Sequence, residues 1–125
     1  MCRVEHCSLA DILDICQQSR DYFETNPIGF GFHISSFPKG WCGDASRYLK
    51  RRLHEQLGID FIYHSGSMRP SESTNTYNHA WLERDNLIID ITADQFNFLG
   101  FTNGPITITT DRTFHDLFHH NRKSE

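Results

Sequence analysis

Three residues far apart along the chain have the side chains of a thiol nucleophile and its two helpers. Cys42 follows Trp41, His79 lies in the run Asn-His-Ala-Trp, and Asp90 lies in Ile-Ile-Asp-Ile. A cysteine that attacks a carbonyl at neutral pH needs a base within hydrogen-bond reach and a third group that fixes the tautomer of that base. Thiol, imidazole and carboxylate meet those needs, so the residue types predict a Cys-His-Asp enzyme.

The residues around Cys42 predict the start of a helix. Gly40 and Gly43 bracket the cysteine, and one apolar helical face follows. The members of that face are Ala45, Tyr48, Leu49, Leu53 and Leu57. Unpaired backbone N–H groups and the positive end of the helix dipole meet at such a position, and both favour a thiolate over a thiol. The helix is predicted to stop at Gly58.

A predicted hairpin brings the other two residues together. The β-rich runs 77–84 and 87–92 flank residues 85–86, Asp-Asn, which suit a tight antiparallel turn. In that register His79 and Asp90 share one face as diagonal neighbours, with Cβ atoms ~7 to 8 Å apart. An acid inside an apolar strand is costly to bury unless it is paired. A hydrogen bond to His79 meets that requirement.

Each residue taken alone has an ordinary structural explanation. A lone Cys42 is more often a small buried hydrophobe, a lone His79 a core histidine with its hydrogen bonds made, and Asp90 a carboxylate that binds turn N–H groups. Their coincidence in this order and spacing favours catalysis. Trp41 and Trp81 flank the nucleophile and the base. Core packing and a substrate-binding role in walling the acyl site are both open for these two indoles.

The segments 41–46, 78–83 and 89–92 resemble the transglutaminase-like branch of the papain-like cysteine-enzyme superfamily, in the same Cys, His, Asp order. The resemblance extends over roughly residues 37 to 95. It implies an α+β fold in which the nucleophile helix packs on a small antiparallel sheet. It also implies acyl chemistry through a thioester: an amidase or thiol protease, a glutamine deamidase, or transfer of the acyl group to an amine. Cys42 would be the nucleophile, His79 the general base and then acid, and Asp90 the orienting residue.

Papain-like proteases usually carry an oxyanion-hole Gln a few residues before the cysteine, and the chain departs from that pattern because residues 34–39 contain none. The backbone N–H of Cys42 can serve as one oxyanion donor, and Gln17, Gln18 and the Trp41 indole are alternatives for the second donor. The chain is also short, so the substrate is small or a partner completes the site. A different class of function stays open beside the enzyme: a binding or adaptor module that keeps the fold and uses the triad as a structural network.

The other predicted elements follow from pattern and punctuation. A helix capped by Ser8 with Asp11 in its first turn should end near Asn26. After an irregular segment over 28–40 and the Cys42 helix, the prediction is a strand at 59–64, a mobile polar loop at 65–75, a short helix or turn at 94–100, a strand at 106–110 and a short helix at 113–120.

Composition limits the class of protein. A chain of 125 residues suits one domain, 1–125, and a net charge of −4 gives no general attraction to nucleic acid. The basic run Arg47, Lys50, Arg51, Arg52 is read as a solvated helix face. With neither a signal peptide nor a membrane span in the sequence, a cytoplasmic protein with reduced cysteines is expected, and export without a cleavable signal stays open. The expected partners are a peptide, protein or small amide substrate, not a membrane.

Metal binding is the weaker alternative. His115 and His119 have an i, i+4 spacing that can bind zinc on a helix, beside His120, but a solvated polar helix face is the favoured interpretation. Cys2, His6 and Cys7 fit no tight metal-binding pattern. The sequence therefore predicts no cofactor and no metal.

Overall fold

A computed structural model of the chain describes residues 8–25, 42–71 and 74–120. Within these residues two α-helices precede a five-stranded sheet, and every strand pair in the sheet is antiparallel. The helices are α1 (Leu9–Thr25) and α2 (Cys42–Leu57), and the strands are β1 (Ile62–Met68), β2 (Tyr77–Arg84), β3 (Leu87–Asp90), β4 (Thr107–Thr109) and β5 (His119–His120). The strand order across the sheet is β4-β3-β2-β1-β5. The predicted α+β class is confirmed.

The α1 helix begins at the predicted cap. The Ser8 N–H donates to the Asp11 carboxylate at 3.0 Å, and the Asp11 N–H donates back to the Ser8 hydroxyl at 3.3 Å. Each bond satisfies a backbone donor that the first helical turn leaves unpaired. The helix ends at Thr25, one residue before the predicted end, and it buries Cys16 and Phe23 against α2 and the sheet.

The α2 helix begins at Cys42 and ends at Leu57, directly before the predicted stop at Gly58. Gly58 has a φ of 72°, and its N–H donates to the His54 carbonyl while the Ile59 N–H reaches the Leu53 carbonyl. This double closure is the glycine C-cap expected for a left-handed residue. Ala45, Leu49, Leu53 and Leu57 of the predicted apolar row are buried, together with Ser46, whereas Tyr48 is only partly buried against the core.

The central hairpin has the predicted turn and register. Asp85 and Asn86 both have positive φ, 51° and 68°, which is the geometry of a two-residue turn matched to strand twist. The β2–β3 ladder pairs Leu82 with Ile89. His79 lies beyond that paired stretch, and the ladder stops as β3 ends at Asp90.

The first strand is displaced from its predicted position. β1 begins at Ile62 rather than residue 59 and continues to Met68, so the first part of the predicted loop 65–75 is a strand. Two partners explain the extension, because β1 pairs with β2 on one side and with β5 on the other. A side chain at Gly66 would place its Cβ 2.6 Å from the His119 carbonyl oxygen, so glycine permits the β5 contact.

The predicted helix at 113–120 is wrong. This segment forms a single 3-10 turn, His115–Leu117, and then β5, which adds to the edge of β1. The pairing supplies the backbone hydrogen bonds that a continued helix would otherwise provide. A second 3-10 helix, Ala93–Leu99, occupies the predicted short helix after β3.

The sheet divides the core into two clusters. Leu82 and Ile89 pack with the buried faces of α1 and α2, whereas the alternate residues Trp81 and Ile88 pack in an aromatic cluster with Phe96 and Phe118. The alternation follows from the two-residue period of a strand. No helix within the described part of the chain has the length and apolar character needed to cross a membrane.

Candidate active site

The His79 ring and the Asp90 carboxylate are in direct contact. Nε2 of His79 lies 2.6 Å from Oδ2 of Asp90, and the two residues are 1% and 2% exposed. The hairpin register places them on one face, as the sequence predicted, and the side chains close the remaining distance. At this length and burial the hydrogen bond is charge-assisted.

Asp90 is held by more groups than the sequence indicated. Its Oδ1 accepts the Thr92 backbone N–H at 2.9 Å, while its Oδ2 also contacts Nε2 of His115 at 2.6 Å. Two imidazoles therefore meet one carboxylate oxygen, and a backbone donor holds the other. A carboxylate with three such partners is fixed in orientation and stabilised as an anion.

His115 is a site residue that the sequence interpretation missed. It was expected on a solvated helix face or as half of a zinc pair with His119, but it is 2% exposed and lies in a 3-10 turn, while His119 belongs to β5. The i, i+4 geometry of a helix therefore does not apply. A local signal existed: Phe114 and Phe118 flank the histidine, and both pack around it or its partner His79.

Cys42 is the first residue of α2 and is partly exposed, and it lies close enough to the His79 ring to help raise the pKa of that ring. Nε2 of that ring is engaged by Asp90, so Nδ1 is the nitrogen left for the thiol. Nδ1 is buried without a partner at full hydrogen-bond geometry. Among the described residues the thiol and Nδ1 therefore do not form a hydrogen bond, although Cys42 influences the charge of the ring.

The electrostatics of the pair favour an ion pair. Burial by itself lowers the pKa of His79, but the charge and hydrogen bond of Asp90, assisted by Cys42, raise it from 6.5 to about 9. Burial raises the pKa of Asp90, but the two histidines more than offset it and hold that pKa well below its usual range. At neutral pH the site thus contains an imidazolium bound to a carboxylate.

Aromatic rings enclose the imidazole. The His79 ring centroid is 5.0 Å from that of Phe96, 5.4 Å from Phe118 and 5.5 Å from Trp81. These rings exclude water and strengthen the electrostatic coupling to Asp90. Trp81 itself is 1% exposed, donates its indole N–H to Glu83 and packs in the core beside the His79 ring.

The three residues His79, Asp90 and His115 are also of the types that bind metals, and their ligand atoms lie within 4.8 Å of one another. Both N–O separations are 2.6 Å, which is a hydrogen-bond length. Ligands 2.0 to 2.2 Å from a tetrahedral zinc would stand roughly 3.3 Å apart. The geometry fits proton sharing better than metal coordination.

The oxyanion donors predicted from the sequence are not assembled in the described residues. Gln18 is bound by Asp14 on its own helix and by Arg52 of α2, both on the surface. Gln17 lines a surface depression beside Arg20 and Pro105. The N-terminal backbone of α2 remains as the source of donors next to Cys42.

Several sequence-based expectations concern residues outside the described parts of the chain: the Trp41 indole, the segment 28–40 and the Cys2, His6 and Cys7 group. Cys16, by contrast, is described and buried, and burial raises the pKa of its thiol to about 12. Comparison of the chain with known protein families, with curated protein sequences and with solved structures finds no match.

Proposed function

We propose that the chain is a cysteine-dependent acyl enzyme that acts on an amide, a peptide or a glutamine side chain through a thioester at Cys42. The observation that carries the proposal is the geometry of one ring. The His79 imidazole is bound through Nε2 by a buried carboxylate, and the thiol of Cys42, the first residue of α2, lies near enough to help raise the pKa of the ring. An imidazolium beside sulfur is the arrangement that a thiolate nucleophile requires.

In this mechanism the Cys42 sulfur attacks the substrate carbonyl carbon, and the carbonyl electron pair moves to oxygen. N–H groups of the first turn of α2 point toward the developing oxyanion. His79 transfers its proton to the departing nitrogen as the C–N bond breaks, which leaves the thioester. Water or an amine then attacks that thioester, His79 accepts the proton of the attacking group, and the sulfur leaves as thiolate.

The order and placement of the three residues support a transglutaminase-like arrangement. Cys42 is the first residue of α2, His79 lies in β2 and Asp90 is the last residue of β3. The α2 helix packs on β2, and the Ser46 hydroxyl donates to the Ala80 carbonyl, one residue after the base. These contacts tie the nucleophile helix to the strand of the base. Hydrolysis, deamidation and transfer to an amine all share this first half-reaction.

The competing function is a binding module, and one observation favours it. The closed His79, Asp90 and His115 network is at most 2% exposed, as a purely structural network would be. In that case Cys42 has no special reactivity, and its replacement leaves partner binding intact.

The test is intact-mass spectrometry after incubation with amide, ester and glutamine-peptide probes. The wild-type chain should gain one acyl group at Cys42 and lose it on adding an amine. Cys42→Ala and His79→Gln should gain none while keeping the wild-type circular dichroism. Cys16→Ser is the matched control, because that thiol is buried and should not react. Alkylation of Cys42 by iodoacetamide no faster than that of Cys2 or Cys7, with no acyl adduct, would contradict the proposal.

A further inference from the structure

The solvent-facing side of α2 carries a row of basic side chains. Arg47, Lys50, Arg51 and His54 are spaced i, i+3, i+4 and i+7, so they lie on one face of the helix. They line a surface depression of about 520 Å³ together with Asp60 and Tyr63. We call this depression the basic groove. Gly43 is four residues before Arg47 and therefore belongs to the same helical face.

The contacts within the basic groove orient its charges without neutralising them. The Arg47 guanidinium lies 4.6 Å above the Tyr63 ring, and that of Arg51 lies 5.8 Å from the Tyr48 ring. The Lys50 ammonium donates to the Phe61 carbonyl at 2.6 Å. Aromatic rings and a carbonyl carry no formal charge, so these three cations keep their charge and spare N–H donors.

Among the described residues, acidic groups near the basic groove are fewer than its cations. Asp60 is the carboxylate among the residues that line it and hydrogen-bonds to His54 at 2.6 Å, at the far end from Cys42. Asp44 lines an adjoining depression with Arg47 and Arg51. Because the whole chain has a net charge of −4, a local excess of cations marks this face as different from the rest of the surface.

The near end of the basic groove adjoins the nucleophile. A Cβ at Gly43 would lie 3.2 Å from Nη1 of Arg47 and 3.4 Å from the hydroxyl of Tyr63. The guanidinium thus reaches back to the residue that follows Cys42. The positive end of the α2 dipole lies at the same place and adds to the attraction for an anion.

We propose that the basic groove selects acidic peptide substrates. Arg47 and His54 lie five and twelve residues after Cys42 on α2, so the carboxylates should lie about two to five residues from the amide that reacts at Cys42. This inference rests on the proposed function. Guanidinium groups held flat on rings suit bidentate binding of carboxylates. From Arg47 to His54 the helix rises about 10 Å, which an extended peptide spans with about three residues. The preference is therefore for a short acidic run, not for a single charge.

The experiment measures binding and reaction separately. Fluorescence anisotropy measures the binding of two labelled peptides to Cys42→Ser protein. One peptide has three Glu beside a central Gln, and the control peptide has Gln in place of each Glu. We expect the acidic peptide to bind about tenfold more tightly at low salt, because several charge-assisted bonds act together. The preference should shrink at 0.3 M salt as screening increases.

The matched variants keep the fold and change the charge. Arg47→Gln with Arg51→Gln should reduce the preference to about twofold or less, since it removes two of the three permanent cations. Arg47→Glu with Arg51→Glu should make a Lys-containing peptide the better ligand. Arg52→Gln removes one charge from the same helix, but that side chain binds Gln18 outside the basic groove, so the preference should persist.

The outcomes separate the two proposals. If Cys42→Ser protein prefers the acidic peptide but the wild-type protein forms no acyl adduct, the proposal for the basic groove stands and the proposed enzymatic function is rejected. If acidic and neutral peptides acylate Cys42 equally and bind equally well, the proposal for the basic groove is rejected and the proposed enzymatic function stands. Tighter binding of duplex DNA or of a phosphoserine peptide than of the Glu peptide would overturn the assignment to carboxylates.

Discussion

The imidazole of His115 reaches the Asp90 carboxylate, with Nε2 2.6 Å from Oδ2, although 25 residues separate the two along the chain. Nε2 of His79, the proposed base, contacts the same oxygen at 2.6 Å. The acid that orients the base is therefore itself oriented, by a side chain from a different part of the fold. The hydrogen bond from His115 therefore restricts the orientation of the Asp90 carboxylate, which the single bond to His79 would leave free to rotate.

Replacing His115 tests that support. His115→Phe should destabilise the fold by about 2 kcal/mol, because a hydrogen bond to a buried carboxylate is lost. It should also slow alkylation of Cys42 on the order of tenfold and change its pH profile. His115→Gln keeps a donor and should recover part of both losses. Urea denaturation and iodoacetamide kinetics measure the two effects.

The control for this pair is His119→Gln, an exposed neighbour in β5, which should change neither quantity. Equal effects of the Phe and Gln variants on stability, with an unaltered alkylation profile in both, would assign His115 to packing alone.

Stability should depend on pH through His79. Its pKa is raised from 6.5 to about 9 in the folded chain. Below pH 6.5 both the folded and unfolded chains hold the proton, so the stabilising contribution is full. Between these values the folded chain holds it more tightly, and the contribution is lost as pH rises through 9. The free energy of unfolding should fall by on the order of 3 kcal/mol more in wild type than in His79→Gln.

The measurement is urea denaturation of both proteins at half-unit steps from pH 6 to 10. Parallel curves for wild type and His79→Gln across that range would mean that the folded and unfolded chains bind the His79 proton equally tightly, so that the ion pair does not stabilise the fold.

Gly66 controls the docking of β5. An added Cβ would lie 2.6 Å from the His119 carbonyl oxygen, a backbone atom that cannot move alone. Gly66→Ala should therefore push β5 off the sheet edge, destabilise the chain by about 1 to 3 kcal/mol and speed amide hydrogen exchange in β5 and at His115. Gly104→Ala is the matched control, because the nearest atom to its added Cβ lies 3.9 Å away. Equal exchange rates in the two variants would contradict the role of Gly66.

Arg20 holds α1 to the segment that follows β3. Its guanidinium donates to both oxygens of Asp94 at 2.8 and 2.9 Å and to the Ile91 carbonyl at 2.8 Å, and the residue is 7% exposed. Arg20→Met leaves Asp94 without its partner and should cost about 3 kcal/mol.

The surface variant Arg52→Met should stay within about 0.5 kcal/mol of wild type in the same urea titration. Cys42 alkylation below the unfolding transition should be unchanged in both variants. A selective loss of alkylation in the folded Arg20→Met protein would show that the α1 contact also shapes the site.

Local features were the predictable part of the fold. The Ser8 cap, the Gly58 stop and the turn at residues 85–86 depend on residues within one or two turns of one another. The hairpin register then follows, because a two-residue turn leaves one pairing of β2 with β3. With that register, the contact of His79 with Asp90 could be predicted from residue numbers alone.

The errors lie where distant parts of the chain meet. β1 runs into a polar segment because β5, more than fifty residues later, pairs with Gly66 and Ser67. The segment around His115 has a helical spacing of histidines, yet strand pairing at the sheet edge and burial among aromatic rings decide its structure. Neither partner can be identified from the local sequence.

The sequence alone determined which side chains are capable of the chemistry, the helix start that presents Cys42 and the hairpin that joins His79 to Asp90, because caps, turns and strand alternation act over a few residues. Only the tertiary structure decided that His115 is the second imidazole bound to the Asp90 carboxylate, that Trp81 is buried, and that the basic row on α2 lies against Tyr63 and next to Gly43. Those facts depend on packing between segments whose separation along the chain conceals their proximity in space.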